Sequence, residues 1–295
     1  MSPRILLLGK NGQVGWELQR SLSAIGQLVA LDKSSCDLAH IDQIQTAITS
    51  AQPDVIVNAA AYTAVDKAEQ DSATAFRINA EAVAAMAAVA AKRNALLIHY
   101  STDYVFDGSK PVAYVEEDVR NPLSVYGKSK AAGELAISNS GCRHLTFRTS
   151  WVFAARGLNF AKTMMRLASE RDSLRVVADQ WGAPTSAELI ADVTAHALRE
   201  VLANQVEGGL YHLAASGETS WQGYANFVLQ EAVRLGAKLK AHSAEPISTL
   251  DYPLPATRPA NSRLDTTKLQ NAFNLELPDW RYHTQRMLTE LLGNS

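Results

Sequence analysis

A tyrosine and a lysine stand four residues apart in Tyr126-Gly127-Lys128-Ser129-Lys130, inside a stretch with helical spacing of apolar residues. That spacing sends both side chains out from one face of the helix. A free tyrosine titrates near ~10 and a free lysine near ~10.4. An ammonium beside the phenol is expected to draw the tyrosine pKa down toward the working range, the poise a general acid needs. Tyr126 is therefore the candidate proton donor and Lys130 its partner. The same spacing also fits a plain surface pair, so its place in the chain has to decide.

That place follows an apolar run ending in His99-Tyr100-Ser101-Thr102-Asp103-Tyr104-Val105-Phe106. Ligands gather at strand C-termini in open parallel sheets. A hydroxyl there, Ser101 or Thr102, is placed to donate to a carbonyl or its developing alkoxide. The alternative is a capping hydroxyl beside packed aromatics.

A third signal opens the chain. The first apolar run leads directly into Gly9-Lys10-Asn11-Gly12-Gln13-Val14-Gly15 and then a helical pattern. Glycines let backbone turn tightly and approach a pyrophosphate, and a helix N-terminus offers free N–H groups and a positive dipole end. Asp32 closes the next apolar run, where a dinucleotide fold keeps the acid that binds the adenosine ribose. An acid there favours the free 2′-hydroxyl of NADH. Lys10 and Lys33 are near enough in sequence to accept the 2′-phosphate of NADPH, so both cofactors stay open. The same lysine that partners Tyr126 is placed to hold a nicotinamide ribose.

The elements that must position these groups alternate. Arg4–Gly9, Leu28–Asp32, Asp54–Ala61, Ala95–Ser101 and His144–Val152 read as strands apolar enough to be buried on both faces. Gln13–Ile25, Ile41–Ala51, Ser72–Asn94 and Pro122–Asn139 read as helices, with Asp42 suited to the dipole of the second. Such alternation predicts an α/β fold: a Rossmann-type, doubly wound parallel sheet. The third strand ends in Asn58-Ala59-Ala60-Ala61-Tyr62-Thr63, whose small residues suit either a cofactor lying across the sheet edge or tight packing. Asn79 reads equally as a group near the site or as a helix-surface amide. Past residue 150 the pattern loosens. Asn159–Arg171 and Ser186–Leu202 read as helical, Leu174–Thr185 as extended, Gly209–Ala215 as a further strand and Arg281–Leu292 as a final helix. The region between the last two is polar and punctuated by Pro246, Pro253, Pro255 and Pro259. The expected division is a dinucleotide-binding domain from 1–150 and 186–214, and a smaller mixed α/β substrate lobe from 151–185 and 215–295.

The bulk numbers narrow the class. At 295 residues, 47% apolar and 20% charged, the chain can bury a sizeable core and does not read as disordered. A net charge of −2 gives no reason to expect nucleic acid or an anionic membrane as partner. The apolar run at the N-terminus is too short for a signal peptide, and the alanine-rich stretch Ala80–Ala91 is interrupted by Glu81 and read as a packed helix. Cys36 and Cys142 have no metal or redox spacing, which leads to the expectation of a reducing, cytoplasmic home.

On these residues the chain resembles the extended short-chain dehydrogenase/reductase family. It is more closely similar to the dTDP-4-dehydrorhamnose reductase family within it, over essentially its whole length. The likeness rests on GKNGQVGWELQ, NAAAYTAVDKAE, HYSTDYVFDG, FRTSWVF, NFAKTM, DQWGAPT and RPANSRLD. It implies NADPH- or NADH-dependent reduction of the C4 keto group of dTDP-4-dehydro-β-L-rhamnose, a dTDP-linked keto-sugar, for cell-surface polysaccharide. It further implies Tyr126 as proton donor, Lys130 as its partner, and Thr102 as the group that tunes the tyrosine. Thr102, Asp103, Tyr126 and Trp151 would contact the sugar nucleotide. Gly9, Asn11, Gly12, Gln13, Val14, Gly15, Asp32, Asp37, Leu38, Ala61, Tyr62, Thr63 and Tyr100, with Tyr126 and Lys130, would line the dinucleotide. Arg258 is a candidate for the diphosphate. Some members form a metal-dependent dimer through acidic side chains, so Glu188 and Glu290 are the candidates here for Mg2+ and a homodimer; the alternative is two solvated surface charges.

Two rival readings stay in view. One is another nucleotide-sugar reductase or epimerase of the same family. Dehydratases of the superfamily carry Thr-Asp-Glu at the end of the fourth strand, and here the third of these residues is Tyr104. The other is a non-catalytic, dinucleotide-binding regulatory subunit, for which Tyr126, Lys130 and Thr102 together would be superfluous.

Overall fold

A computed structural model describes residues 2–293. The alternating runs form β1 (Arg4–Leu8), α1 (Gln13–Leu22), β2 (Gln27–Leu31), α2 (Ile41–Ala51) and β3 (Val55–Asn58). Short α3 (Val65–Ala68) follows, then α4 (Ser72–Phe76), a π-turn (Arg77–Glu81) and α5 (Ala82–Arg93). Next come β4 (Leu96–Thr102), a 3-10 turn (Asp103–Val105), α6 (Val125–Ser140) and β5 (His144–Thr149). The second half holds β6 (Val152–Phe153), α7 (Phe160–Glu170), β7 (Leu174–Val177), β8 (Trp181–Gly182), β9 (Thr185–Ser186), α8 (Ala187–Leu202) and β10 (Gly209–His212). It ends with β11 (Thr219–Ser220), α9 (Trp221–Arg234), β12 (Ala244–Ile247), a 3-10 turn (Thr249–Asp251), α10 (Thr267–Phe273) and α11 (Trp280–Leu292).

Six strands pair in parallel in the order β10-β5-β4-β3-β1-β2. Alternate residues of each strand face opposite layers. Ile5, Leu7, Val55, Val57, Leu96 and Ile98 pack with Leu18 and Leu22 of α1 and with α8. Leu6, Leu8, Ile56 and Leu97 pack on the other side with Ile44 and Ile48 of α2 and with α5. The doubly wound α/β fold expected from the sequence is therefore present. The strand order reverses between β1 and β3, which opens a crevice beyond their C-terminal ends.

Several expected elements need correction. β2 is not buried on both faces: it is the edge strand, and Val29 is 46% exposed. The third strand stops at Asn58, so the Ala59-Ala60-Ala61 segment is loop, and the fifth stops at Thr149 before a break at Ser150-Trp151. The fourth helix starts three residues late, because Ser124 caps it: its hydroxyl accepts from Gly127 N at 3.1 Å. The expected extended stretch Leu174–Thr185 is three short strands. The polar, proline-marked region contains a helix of 14 residues, α9, for which the sequence reading gives no element. Its buried Tyr224, Ala225, Val228, Leu229 and Ala232 recur at helical spacing.

Ser72–Arg93 is long and apolar enough, by length and composition, to cross a membrane. One face of it packs in the core: Ala82, Val83, Met86, Ala87 and Ala90 are buried among residues of the sheet and α2.

Candidate active site

A cavity of about 890 Å³ occupies the crevice. Every residue expected at the cofactor or substrate lines it, except Gly15 and Arg258. Gly15 acts by packing: a Cβ there would lie 2.0 Å from the Gly9 carbonyl oxygen, so only glycine lets α1 sit against the loop. Gly9 has φ +87°, and a Cβ on it would meet Ala60 at 2.8–2.9 Å. Gly12 precedes α1 without any side-chain cap, so the first turn of that helix keeps N–H groups for an anion.

Asp32 is fixed as an acceptor. Its Oδ1 takes Ser34 Oγ at 2.6 Å and Ser34 N at 3.1 Å, while Oδ2 takes Asn11 Nδ2 at 3.2 Å. The Ser34 hydroxyl does most to hold its carboxyl down at about 2. Lys10 lies 3.6 Å from Asp32, and Lys33 lines the cavity and pairs with Asp37 at 3.7 Å. Acid and ammonium groups are thus both at hand for the adenosine ribose. Asp37 and Leu38 line the same end.

The loop after β3 is held from below. Asn79, in the π-turn, accepts from Tyr62 N at 2.9 Å and donates to the Tyr62 carbonyl at 3.0 Å and to Ser129 Oγ at 3.0 Å. A buried amide thereby ties the Ala61-Tyr62-Thr63 wall to α6. Of its two sequence readings, the one near the site is the one observed.

At the end of β4, Thr102 Oγ1 donates to Asp103 Oδ1 at 3.0 Å and accepts from Tyr104 N at 3.2 Å. Burial lifts the Asp103 carboxyl to about 6. Tyr126 stands in the first turn of α6, edge-on to the Tyr104 ring. Its hydroxyl corrects the sequence expectation. Burial pushes it up to about 12, against the Thr102 hydroxyl acting downward, so it is a protonated phenol. Lys130, 2% exposed, does not set that value. Its Nζ donates to the Tyr100 carbonyl at 2.6 Å and meets His99 Nε2 at 3.2 Å, and burial depresses its pKa to about 8 with Glu134 acting upward. Tyr100 itself is buried, its hydroxyl 2.9 Å from Thr194 Oγ1.

Trp151 closes the far wall at φ +47° and stacks on Trp221 with ring centroids 3.6 Å apart. Trp221, the first residue of α9, is a cavity residue that the sequence reading missed, as are Ile78, Thr149 and Val152. A helix period beginning just after the capping Ser220 would have revealed it.

Arg258 departs from its expectation. Its guanidinium is engaged by Asp66, at 3.1 and 2.7 Å, and it does not line the cavity. Glu188 is paired with Arg286 at 3.3 Å. The Glu17 carboxyl is raised first by burial and next by the charge of Glu188, with Glu290 also contributing. Among the described residues no group of three His, Cys, Asp or Glu side chains has metal-holding geometry.

A glycine turn at the strand-order switch, an acid past β2, and a phenol and amine facing one cavity define a Rossmann-type oxidoreductase for nicotinamide dinucleotides. The chain belongs to the RmlD substrate binding domain family, whose model matches residues 3–292. It is 52% identical over 291 residues to the dTDP-4-dehydrorhamnose reductase of Salmonella typhimurium, covering 97% of each chain. It is 50% identical over 296 residues to that of Burkholderia thailandensis, covering 98% of this chain and 99% of the relative. Among solved structures it resembles dTDP-4-dehydrorhamnose reductase from Bacillus anthracis in complex with NADP, with TM-score 0.88 and 33% identity over 98% of this chain and 100% of that one.

Proposed function

We propose that this chain is a dTDP-4-dehydrorhamnose reductase, reducing the C4 keto group of dTDP-4-dehydro-β-L-rhamnose to give dTDP-L-rhamnose with NADPH or NADH. The observation that carries this reading is that Tyr126, Lys130 and Thr102 line one cavity with Gly12 and Asp32. A nicotinamide cofactor there would supply the hydride. Gly9, Asn11, Gly12, Gln13 and Val14 would hold its diphosphate, Asp32 the adenosine ribose, and Asp37, Leu38, Ala61, Tyr62, Thr63 and Tyr100 the walls around it. Gly15 serves that site by letting α1 approach the loop.

The chain's own residues would handle the proton. Tyr126, held protonated by burial, donates to the carbonyl oxygen as charge grows on it. Thr102, whose one proton goes to Asp103 Oδ1 in this structure, would turn it to that oxygen. Lys130 in its ammonium form favours the resulting tyrosinate. Asp103, Trp151 and Trp221 would bound the sugar nucleotide.

The remaining expectations belong to this proposal. The dinucleotide domain would comprise 1–150 and 186–214. The lobe from 151–185 and 215–295 is supported by a separate cluster in which Met164, Leu174, Val176, Leu229 and Ala244 pack together. We place the enzyme in the cytoplasm, with the dTDP-sugar as its partner and neither nucleic acid nor membrane. A homodimer would bring acidic faces bearing Glu17, Glu188 and Glu290 from two copies together, which is where magnesium would act; sedimentation with and without Mg2+ tests that. The catalytic reading is tested by following NADPH absorbance as the dTDP-linked keto-sugar is added. A fall dependent on the sugar is expected, and cofactor binding with no reduction would favour the regulatory-subunit alternative.

A further inference from the structure

Behind the cavity lies a row of buried polar groups. Lys130 Nζ is 3.2 Å from His99 Nε2, and His99 Nδ1 is 3.2 Å from Asn58 Nδ2. Asn58, His99 and Lys130 are each no more than 2% exposed, so no bulk water relieves a mismatch among them. Donor and acceptor roles can then be worked out from one fixed end. Ala60 N, which can only donate, meets Asn58 Oδ1 at 3.2 Å. The amide oxygen therefore faces Ala60 and the amide nitrogen faces His99 Nδ1, which must accept.

A neutral imidazole accepting at Nδ1 carries its proton on Nε2, the atom facing Lys130. A neutral lysine amine accepts from that N–H with its lone pair while donating to the Tyr100 carbonyl at 2.6 Å. An ammonium would set donor against donor. Accommodating it requires the imidazole proton on Nδ1 and a turned Asn58 amide, whose nitrogen would then abut Ala60 N–H. We propose that Asn58 and His99 form a tautomer lock, making His99 a positioning residue that sets the charge of Lys130 beside Tyr126. The inference rests on the reading of Tyr126 and Lys130 as the proton-donating pair.

Burial works in the same direction, holding Lys130 at about 8 and His99 well below its usual value. The other groups around the pair are few. From α6 come Tyr126 and Glu134, the latter tied to Arg148 of β5 at 2.8 Å. From the turn after β4 comes Asp103, whose charge acts on Tyr126, and from β5 His144, whose charge acts on His99. The π-turn contributes neutral Asn79. None of these reverses the order of donors along the row.

The sign of the effect follows. Above its pKa, Lys130 no longer favours a tyrosinate, so turnover should fall as pH rises through about 8. In Asn58→Asp a carboxylate would accept from Nδ1–H, freeing the Nε2 lone pair for the ammonium. The basic limb of kcat should then move up by about one to three pH units, the usual effect of such a change of partners. His99→Gln, presenting an amide oxygen to Lys130, should move it the same way. Nitrogen-15 NMR of the wild-type enzyme, with His99 assigned by substitution, reads the tautomer without any turnover. A proton on Nε2 is expected; a proton on Nδ1 overturns the lock even if neither variant folds. An unmoved limb with kcat lowered evenly at every pH in both variants would also overturn it. Loss of the parent reading shows separately, as a Tyr126→Phe enzyme that still turns over while the His99 nitrogens stay as predicted.

Discussion

At Tyr126 burial and, after it, the charge of Asp103 raise the phenol, the Thr102 hydroxyl lowers it, and burial prevails. A phenol kept protonated is suited to donate, so Tyr126→Phe should lower kcat by about 10²–10⁴-fold. Its NADPH affinity, measured by fluorescence titration, should hardly change. Lys130 gives a stability prediction with a definite sign. Its pKa is depressed in the folded chain, to about 8 from the ordinary lysine value of 10.5, so between those values the unfolded chain binds more protons. Stability should therefore rise with pH across that window, and Lys130→Met should flatten the rise in urea unfolding curves. An equal slope in both proteins would contradict the depression of the Lys130 pKa by burial. The Tyr-x-x-x-Lys pair was legible as residues four apart. Its electrostatics were not, because they depend on the Tyr100 carbonyl and on His99, which β4 brings under the helix.

Among the elements, the π-turn and α9 shape the site most. Asn79 holds both backbone groups of Tyr62, so Asn79→Ala leaves two half-buried partners without that amide. Weaker cofactor binding and about 1–3 kcal/mol lower stability are expected, read by titration and denaturant unfolding. At α9 the Ser220 hydroxyl accepts from Gly223 N at 3.0 Å. Ser220→Ala should cost about 1 kcal/mol, and by loosening Trp221 it should raise KM for the sugar nucleotide more than it lowers kcat. The first five strands and the glycine turn were legible because apolar runs, glycines and an acid recur at fixed intervals. β2 misled because an edge strand in a covered sheet can carry the same apolar letters as a central one. α9 was hidden by the prolines that follow it, although its own apolar spacing was regular.

On the scale of the whole molecule, the switch in strand order between β1 and β3 puts the cofactor turn, the β4 end and the α6 phenol around one cavity, and the later elements add the tryptophan wall. In the proposed reading, Asp32 with Lys10 and Lys33 would let the cavity accept either cofactor. Asp32→Ala should lower kcat/KM for NADH more than for NADPH, and an unchanged ratio would make Asp32 a turn residue only. The most direct measurement of the central claim uses NADPH deuterated at the transferred position of the nicotinamide ring, with the dTDP-linked 4-keto-sugar. NMR of the product should find deuterium on C4 of dTDP-L-rhamnose in the wild-type enzyme. A C4 position carrying only protium, or no reduced sugar while the cofactor binds, would contradict it.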